Sequence, residues 1–348
     1  MYPQQIIDAL RHVRYPGTGN DLVQAGMLED DIRISGLAVS FSIIFDKEND
    51  PFIKSVVKAA QTAVTTYVDE NAAVTIHPKF RTILPQPAAN DKQAPIRAKN
   101  IIAIHSGKGG VGKSTVAANL AVALAKNGFS VGLLDADIHG PSIPKMFHIE
   151  DCRPVSVNVD GRDLIEPIEQ YGVKILSIGF FVDPANAVVW RGGLASNAIK
   201  QLIEDAHWGE LDYFLIDLPP GTSDIHLTLV AELQLTGAIV VTTPQPVALV
   251  DARKGVDMFR NEKINVPVLG IIENMAWFTP AELPQNRYYI FGQDGGKRLA
   301  QELNVPLLGQ IPLVQSVREA GDNGQPIALQ KGHPAADIFD NICQQLQS

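Results

Sequence analysis

The amino-acid sequence predicts an α/β fold in two parts, a doubly wound parallel sheet preceded by a small α+β domain. The length of 348 residues allows about two domains, each large enough to bury its own core. From residue 99 onward, short apolar runs alternate with helical stretches, whereas residues 1–78 follow a separate pattern. With 45% hydrophobic and 19% charged residues, the composition is that of a globular protein.

The first 78 residues predict the small α+β domain. The opening segment PQQIIDALRHV places Ile6, Ile7, Leu10 and Val13 near one face of a helix. The stretch IRISGLAVSFSIIF alternates as a strand or a hairpin pair. Helical spacing returns after Asp50, which we expect to be an N-cap, and AAVTIHP is a further short strand.

A linker is predicted at residues 79–98, because this segment holds three prolines and has little periodicity. Residues 99–348 then form the second domain. Its apolar runs are uninterrupted, as in strands of a parallel sheet that helices cover on both faces. Ligands of such sheets bind beyond the carboxyl ends of the strands. The runs are NIIAIHS, FSVGLLDAD, YFLIDLP, TGAIVVTTP and VPVLGIIEN.

A phosphate-binding loop joins the first of these strands to a helix. The stretch GKGGVGKS, residues 107–114, fits G-x-x-x-x-G-K-[ST], follows IIAIH and opens the helical segment STVAANLAVALAKNG. Its glycines allow backbone N–H groups to surround a phosphate, and the helix N-terminus adds a favourable dipole. Lys113 would reach the β and γ phosphates, Ser114 would ligate Mg²⁺, and Thr115 would contact the α phosphate. A glycine-rich turn with chance lysines does not explain why strand, loop and helix follow in this order.

Carboxylates follow two further predicted strands. Asp135 and Asp137 lie in LLDADIHGPS, and Asp217 ends the apolar run YFLID. Acidic residues at strand ends beside a triphosphate hold Mg²⁺ or orient a water molecule. We therefore assign water positioning to Asp137, a supporting contact to Asp135 and Mg²⁺ binding to Asp217. The loop PPGTSD, residues 219–224, is suited to sensing the γ phosphate. An aspartate at a turn is the alternative for each, most of all for Asp135.

The charge balance and the cysteines argue against several classes of protein. The net charge of −9 disfavours a nucleic-acid binder, which usually carries basic clusters. No window approaches the roughly 18 uninterrupted apolar residues of a membrane span. The opening MYPQQIIDALRHV does not have the pattern of a secretory signal, so we expect a cytoplasmic protein. Cys152 and Cys343 form no disulfide framework and have no local metal-ligand spacing.

Several motifs together resemble a known family. The loop with its additional lysine, Lys108, resembles the deviant Walker A motif of the MinD and nitrogenase-iron-protein class. DADIHGPSIPKMF, DLPPGTSD and ENMAWF together resemble the Mrp/ApbC iron-sulfur carrier ATPases, over the chain from about residue 99 to the end. Residues 1–78 resemble the iron-sulfur-assembly-associated domain that is often fused ahead of bacterial Mrp proteins.

The resemblance implies ATP and Mg²⁺ as cofactors and a homodimer in which Lys108 reaches the phosphates of the opposite subunit. It implies that Asn274 in IIENM reads the adenine edge and that GQIP near Pro312 closes over the base. A solvated loop lysine and a structural asparagine at a strand end are the alternatives. Lys108, Lys113 and Asp137 are then the predicted catalytic residues, and Ser114 and Asp217 the predicted Mg²⁺ ligands. The predicted nucleotide-binding residues are Gly107, Lys108, Gly109, Gly110, Val111, Gly112, Lys113, Ser114, Thr115, Asn274 and Pro312.

The chain departs from this family where iron-sulfur carriers have a C-x-x-C motif, shortly after ENM. The corresponding residues 275–296 contain neither cysteine nor histidine, so no iron-sulfur ligands are identified and a bridging cluster there is unsupported. Packing is the favoured role of Cys152 and Cys343. The segment is instead aromatic, which suits a partner-facing surface or a hairpin packed on its own domain. Its aromatic residues are Trp277, Phe278, Tyr288, Tyr289 and Phe291.

We therefore predict a slowly hydrolysing, homodimeric ATPase that binds iron-sulfur clusters and transfers them to apoproteins, with an assembly scaffold as a further partner. The alternative is a spatial-organising ATPase of the MinD or ParA kind. The acidic end HPAADIFDNICQQLQS and the net charge argue against binding to lipid or DNA. An electron-transfer role like that of the nitrogenase iron protein is disfavoured, because the cysteines that would hold its cluster are missing. A small-molecule kinase leaves Lys108 and the N-terminal domain unexplained.

Overall fold

The chain divides into two units, Met1–Asp91 and Lys92–Ser348, in the computed structural model. Each unit has its own cluster of buried hydrophobic residues. The boundaries predicted for the domains, 1–78 and 99–348, stay a prediction, because most of the predicted linker lies outside the described residues. The described residues are 1–16, 20–29, 31–45, 50, 52–80, 96–138, 140–181, 192–222, 226, 229–230, 233–280 and 282–347.

The N-terminal unit joins a small sheet to a pair of helices. Its sheet has the order β1-β2-β3, in which β1 and β2 form an antiparallel hairpin and β3 lies parallel to β2. Buried hydrophobic side chains alternate along β2, and helix α2 packs on both α1 and β3. The predicted small α+β domain is therefore confirmed. The elements are α1 Pro3–Leu10, β1 Arg33–Ser35, β2 Ala38–Phe45, α2 Ile53–Tyr67 and β3 Ala73–Phe80.

Two helix boundaries in this unit differ from the prediction. Helix α1 ends at Leu10, although Val13 beyond it is still buried. Helix α2 begins at Ile53, so the prediction of Asp50 as its N-cap is wrong by two residues. Asp50 instead closes the turn before the helix, where its Oδ1 atom accepts a hydrogen bond from the Phe52 N–H at 2.7 Å.

The larger unit is organised around an eight-stranded sheet with the order β13-β12-β11-β4-β10-β5-β9-β8. Its strands pair in parallel except β8, which lies antiparallel at one edge. A separate antiparallel hairpin joins β6 and β7. The strands are β4 Arg97–His105, β5 Val131–Asp135, β6 Ser156–Val159, β7 Arg162–Ile165, β8 Ile168–Gln170, β9 Val173–Ser177, β10 Glu210–Asp217, β11 Gly237–Thr242, β12 Val268–Phe278 and β13 Leu307–Leu313.

Helices connect these strands and cover the sheet. Helix α3 follows the phosphate-binding loop and is buried almost all round, since it packs on β5 and β10 on one side and on α9 on the other. The doubly wound fold predicted from the apolar runs is confirmed. The helices are α3 Lys113–Lys126, α4 Ile143–Met146, α5 Gly192–Glu204, α6 Pro246–Arg260, α7 Gly295–Leu303, α8 Gln315–Asp322 and α9 Pro334–Leu346.

The strand order brings the predicted site residues to one edge of the sheet. Strand β10 lies between β4 and β5, and Asp217 of β10 is in register with Asp135 of β5. The carboxyl end of β4 leads directly into the phosphate-binding loop beside them. Within the described residues, no helix combines the length and the apolar character that crossing a bilayer would require.

Candidate functional site

The phosphate-binding loop lies between β4 and α3, as the sequence predicts. Gly110 and Gly112 have φ angles of 82° and 83°, in the left-handed region that glycine adopts without steric cost. Gly112 is the N-cap of α3, and Val111 before it is buried. The loop therefore turns its backbone toward the helix N-terminus, where N–H groups and the helix dipole favour an anion.

Other parts of the chain approach two glycines of the loop closely. A Cβ atom on Gly107 would lie 2.2 Å from the backbone carbonyl carbon of Asp251 in α6. A Cβ atom on Gly112 would lie 2.2 Å from the Asn274 Nδ2 atom. The Asp251 backbone cannot give way easily, so Gly107 is held to glycine by close approach, whereas Gly112 is held to glycine mainly by its positive φ angle.

Lys113 is the centre of the charged groups at the site. Its side chain is buried, with the Nζ atom 2.7 Å from Asp217 Oδ1 and 3.5 Å from Asp137 Oδ2. The same Nζ atom lies 3.3 Å from Ser114 Oγ. Lys113 thus brings together the predicted water-positioning residue and both predicted Mg²⁺ ligands.

The carboxylates around Lys113 are buried. Burial raises the pKa of Asp217, and the neighbouring Lys113 opposes this shift. Burial and the nearby Asp217 also raise the pKa of Asp135. Asp135 accepts hydrogen bonds from Ser177 Oγ at 2.9 Å and from the Asp137 N–H at 3.2 Å. Asp135 therefore supports the turn that holds Asp137, in keeping with its predicted supporting role.

The residues at the end of β10 fit a magnesium ion. Asp217 Oδ2 is buried and accepts no hydrogen bond from the residues that the structure describes. A buried carboxylate oxygen without a partner is costly, and a bound cation would satisfy it. Mg²⁺ prefers carboxylate and hydroxyl oxygens and keeps some water and phosphate ligands, which matches Asp217 with Ser114.

The remaining loop residues lie nearer the surface. Lys108 and Gly107 are half-buried, and Gly109 and Gly110 are exposed. The Lys108 carbonyl accepts a hydrogen bond from Ser106 Oγ at 3.0 Å, and its ammonium group forms no ion pair with any described residue. Thr115 is half-buried in the first turn of α3.

Asn274 lies beneath the loop. Its Nδ2 atom donates a hydrogen bond of 2.8 Å to the Val111 carbonyl, and the side chain is buried. Pro312 is half-buried in β13, next to Ile311, which is paired with Asn274 across the strands. The geometry favours the structural alternative for Asn274, in which the amide holds the phosphate-binding loop in place.

We expect Asn274→Ala to weaken ATP and GTP binding by the same factor, about fivefold, because one buried hydrogen bond to the loop is lost. Titration calorimetry with both nucleotides measures this effect, with Asn158→Ala in the exposed β6–β7 hairpin as the control. A selective loss of ATP binding would instead support the predicted adenine contact.

The segment after β12 forms a hairpin in the position where the family has its C-x-x-C. Phe278 and Tyr288 exchange two backbone hydrogen bonds of 2.8 Å, and the Arg287 guanidinium lies 4.3 Å above the Trp277 ring. No group of three potential metal ligands occurs among the described residues. The hairpin does not fit an iron-sulfur cluster, which needs thiolate ligands. Its most exposed apolar side chains are Leu283, Tyr288, Tyr289 and Ile290.

The two cysteines lie apart from this hairpin. Cys343 is buried in α9, and burial raises the pKa of its thiol to about 12, which disfavours the thiolate that metal binding requires. Cys152 is half-buried and packs against the main core. Both placements agree with the packing role expected for these cysteines.

Some residues of the site were missed in the sequence. Asp251 contacts Gly107 through its backbone, and nothing in VDARKG indicates that contact. His105 and His226 lie in van der Waals contact beside the loop, although the chain separates them by more than a hundred residues. The predicted loop PPGTSD is described only as far as Thr222, so Ser223 and Asp224 lie outside the described residues.

A parallel sheet with this loop, the buried lysine and the strand-end aspartates defines the class of P-loop NTPases. The family model for ParA/NUBPL iron-transfer P-loop NTPases matches residues 97–347, and the chain belongs to this family. The model for iron-sulfur cluster assembly proteins matches residues 3–76. The resemblance inferred from the motifs is therefore confirmed.

Individual relatives agree with this assignment. An iron-sulfur cluster carrier protein of Synechocystis is 42% identical over 332 residues, covering 95% of this chain and 92% of its own length. A nucleotide-binding protein of Archaeoglobus fulgidus, solved with ADP, is 37% identical with a TM-score of 0.58, covering 69% of this chain and 90% of that one. MinD of Pyrococcus horikoshii, solved with Mg-ADP, is 25% identical with a TM-score of 0.53, covering 72% of this chain and 96% of that one.

Proposed function

We propose that the chain is an ATP-hydrolysing protein of iron-sulfur cluster delivery that acts as a cytoplasmic homodimer. The observation that carries this proposal is the ion-paired group of Lys113, Asp217 and Asp137 beside the phosphate-binding loop. Membership of an iron-transfer family and the name of the Synechocystis relative support a role in cluster transfer, with apo iron-sulfur proteins as clients. An assembly scaffold is the proposed donor of the cluster.

The residues around Lys113 support a nucleotide switch. Phosphate oxygens compete with Asp217 and Asp137 for the Lys113 ammonium, so nucleotide binding would release these carboxylates. Asp217 and Ser114 would then hold Mg²⁺, which neutralises charge on the transferred phosphate when bound. Asp137 would orient the attacking water, and the hydrogen bond from its backbone N–H to Asp135 supports the turn that holds it. Lys108 of the opposite subunit would add the last positive charge.

Cluster transfer from a loaded scaffold protein to an apo iron-sulfur protein tests the proposed function. We expect wild-type protein with Mg-ATP to accelerate transfer, and Lys113→Ala not to, because that variant loses the phosphate contact. Lys99→Ala is the control, since Lys99 is an exposed lysine paired with Asp212 far from the loop. Transfer that proceeds equally with and without wild-type protein would refute the proposal.

Direct cluster binding at the hairpin is not part of the proposal, because Thr279, Glu282 and the tyrosines offer no thiolate. After anaerobic reconstitution with iron and sulfide, we expect well below one cluster per dimer by iron quantification and absorption spectroscopy. Cys152→Ser and Cys343→Ser are the matched variants. A stable, stoichiometric cluster that Cys152→Ser abolishes would contradict this expectation and identify Cys152 as a ligand.

The fold similarity to MinD raises a spatial-organising role as the alternative. Membrane attachment by a terminal helix needs basic residues around an apolar face. Helix α9, PAADIFDNICQQL, contains no lysine or arginine, and it buries Phe339, Ile342 and Cys343 against the domain. Helix α9 itself therefore lacks the features of a membrane-binding helix.

A further inference from the structure

His105 is a fully buried histidine that the proposed ATPase chemistry does not use. It is the last residue of β4, and its ring makes edge-to-face contacts with His226 at 5.3 Å and with Phe259 at 5.4 Å between centroids. Neither ring nitrogen has a hydrogen-bond partner among the described residues. Burial lowers the pKa of His105 to about 3, so the ring is neutral. A buried polar ring without partners is costly and calls for an explanation.

The backbone on either side of His105 is joined to the loop that follows Asp217. Beside His105, the Leu218 N–H donates to the Ile104 carbonyl at 3.1 Å, and the Gly221 N–H donates to the Ser106 carbonyl at 2.9 Å. The loop after Asp217 is therefore joined by backbone hydrogen bonds to the chain on both sides of His105.

His226 links the ring to the same loop. Its Nε2 atom lies 2.8 Å from the Pro219 carbonyl, which can only accept a hydrogen bond, so Nε2 carries the proton and donates it. A movement of Pro219 would therefore be passed through this hydrogen bond to the His226 ring, which contacts His105.

Helix α6 packs against another side of the His105 ring. A Cβ atom on Gly255 would lie 2.5 Å from His105 Nε2, and Asp251, one turn earlier, meets Gly107 of the phosphate-binding loop. Asp251, Gly255 and Phe259 are spaced four residues apart and share one helix face. Helix α6 therefore contacts both His105 and the phosphate-binding loop.

We propose that His105 is a positioning residue for ATP turnover, coupling the loop after Asp217 to the phosphate-binding loop through His226 and α6. In the described arrangement of the loop at Pro219, the ring nitrogens have no hydrogen-bond partner. The proposal is that they gain partners when this loop changes position during turnover, so that the ring favours the changed position. This inference rests on the proposed ATP hydrolysis. If packing were its whole role, a phenylalanine would fill the same space without burying two unpaired nitrogens.

His105→Phe separates the two roles, because it keeps the ring and removes the nitrogens. We expect its melting temperature without nucleotide to rise by about 2–4 °C. We expect kcat for ATP to fall at least about fivefold with KM changed less than about twofold, since only the turnover arrangement loses hydrogen bonds. His105→Gln, which keeps a donor and an acceptor, should recover part of kcat. Tyr213→Phe, a buried aromatic in β10, is the control and should keep the wild-type kcat.

A wild-type kcat in His105→Phe would overturn the inference. A lowered melting temperature or failure to fold would show that the ring acts by packing and would overturn it as well. Wild-type protein that hydrolyses no ATP would refute the proposed function, and this inference with it. Wild-type hydrolysis matched by His105→Phe would refute the inference alone.

Discussion

Lys113→Ala is expected to lower ATP hydrolysis by at least about a hundredfold, to the background of the assay. The substitution removes the ammonium that would neutralise the β and γ phosphates, so nucleotide binding should weaken as well. It also leaves Asp217 and Asp137 without their counter-charge in a buried site. The free energy of unfolding should therefore fall by up to about 3 kcal/mol. Protonation of Asp217 would reduce this loss, because it removes the buried charge.

Phosphate release and thermal unfolding measure these two effects on the same preparation. Lys99→Ala is the control for both, because an exposed ion pair such as Lys99 with Asp212 contributes about 0–1 kcal/mol. Hydrolysis by Lys113→Ala within a few fold of the wild-type rate would contradict the assignment of the phosphate-binding loop.

Lys108→Ala is expected to leave nucleotide binding by the monomer largely intact while lowering hydrolysis by at least about tenfold. Lys108 is half-buried and pairs with no described carboxylate, so its removal leaves no unpaired charge in its own subunit. The hydrolysis rate per subunit rises with protein concentration as dimers form. Lys108→Ala should lose this concentration-dependent increase, because it requires the dimer.

The measurement is the hydrolysis rate as a function of protein concentration, together with nucleotide affinity by calorimetry. Lys58→Ala on helix α2 is the control for the loss of one lysine charge. A wild-type rate in Lys108→Ala at every concentration would show that Lys108 is a solvated loop residue.

The sheet could be predicted from the sequence because its strands are apolar on both faces. The runs around Ile102, Leu134 and Val240 are fully or almost fully buried, so hydrophobicity alone identifies them. Strands β6 to β9 and β13 were not predicted, because their apolar runs are shorter or missing. Their pairing depends on neighbours that lie far away in the chain.

The phosphate-binding loop and its aspartates could also be predicted, because they depend on local sequence and strand ends. The structure brings Asp137 and Asp217 each within ion-pair distance of Lys113. The contact of Asn274 with Val111 and the contact of His105 with His226 could not be predicted. Each joins segments separated by more than a hundred residues, and no periodicity or spacing records such a contact.

The absence of a C-x-x-C was visible in the sequence, whereas the shape of its replacement was not. The pairing of Phe278 with Tyr288 and the position of Arg287 over Trp277 depend on side-chain packing. The sequence left open whether the aromatic residues face a partner or their own domain. In the structure Trp277 and Phe278 are partly buried, while Tyr288 and Tyr289 remain exposed.

If two subunits complete each other's nucleotide site, mixing two inactive variants should restore hydrolysis. In a dimer of one Lys108→Ala and one Lys113→Ala subunit, the first subunit keeps its own Lys113 and receives the partner's Lys108. In an equal mixture about half of the dimers are of this mixed kind, and each has one complete site out of its two. Roughly a quarter of the wild-type hydrolysis should therefore return. A mixture that stays as inactive as its components would contradict the shared site.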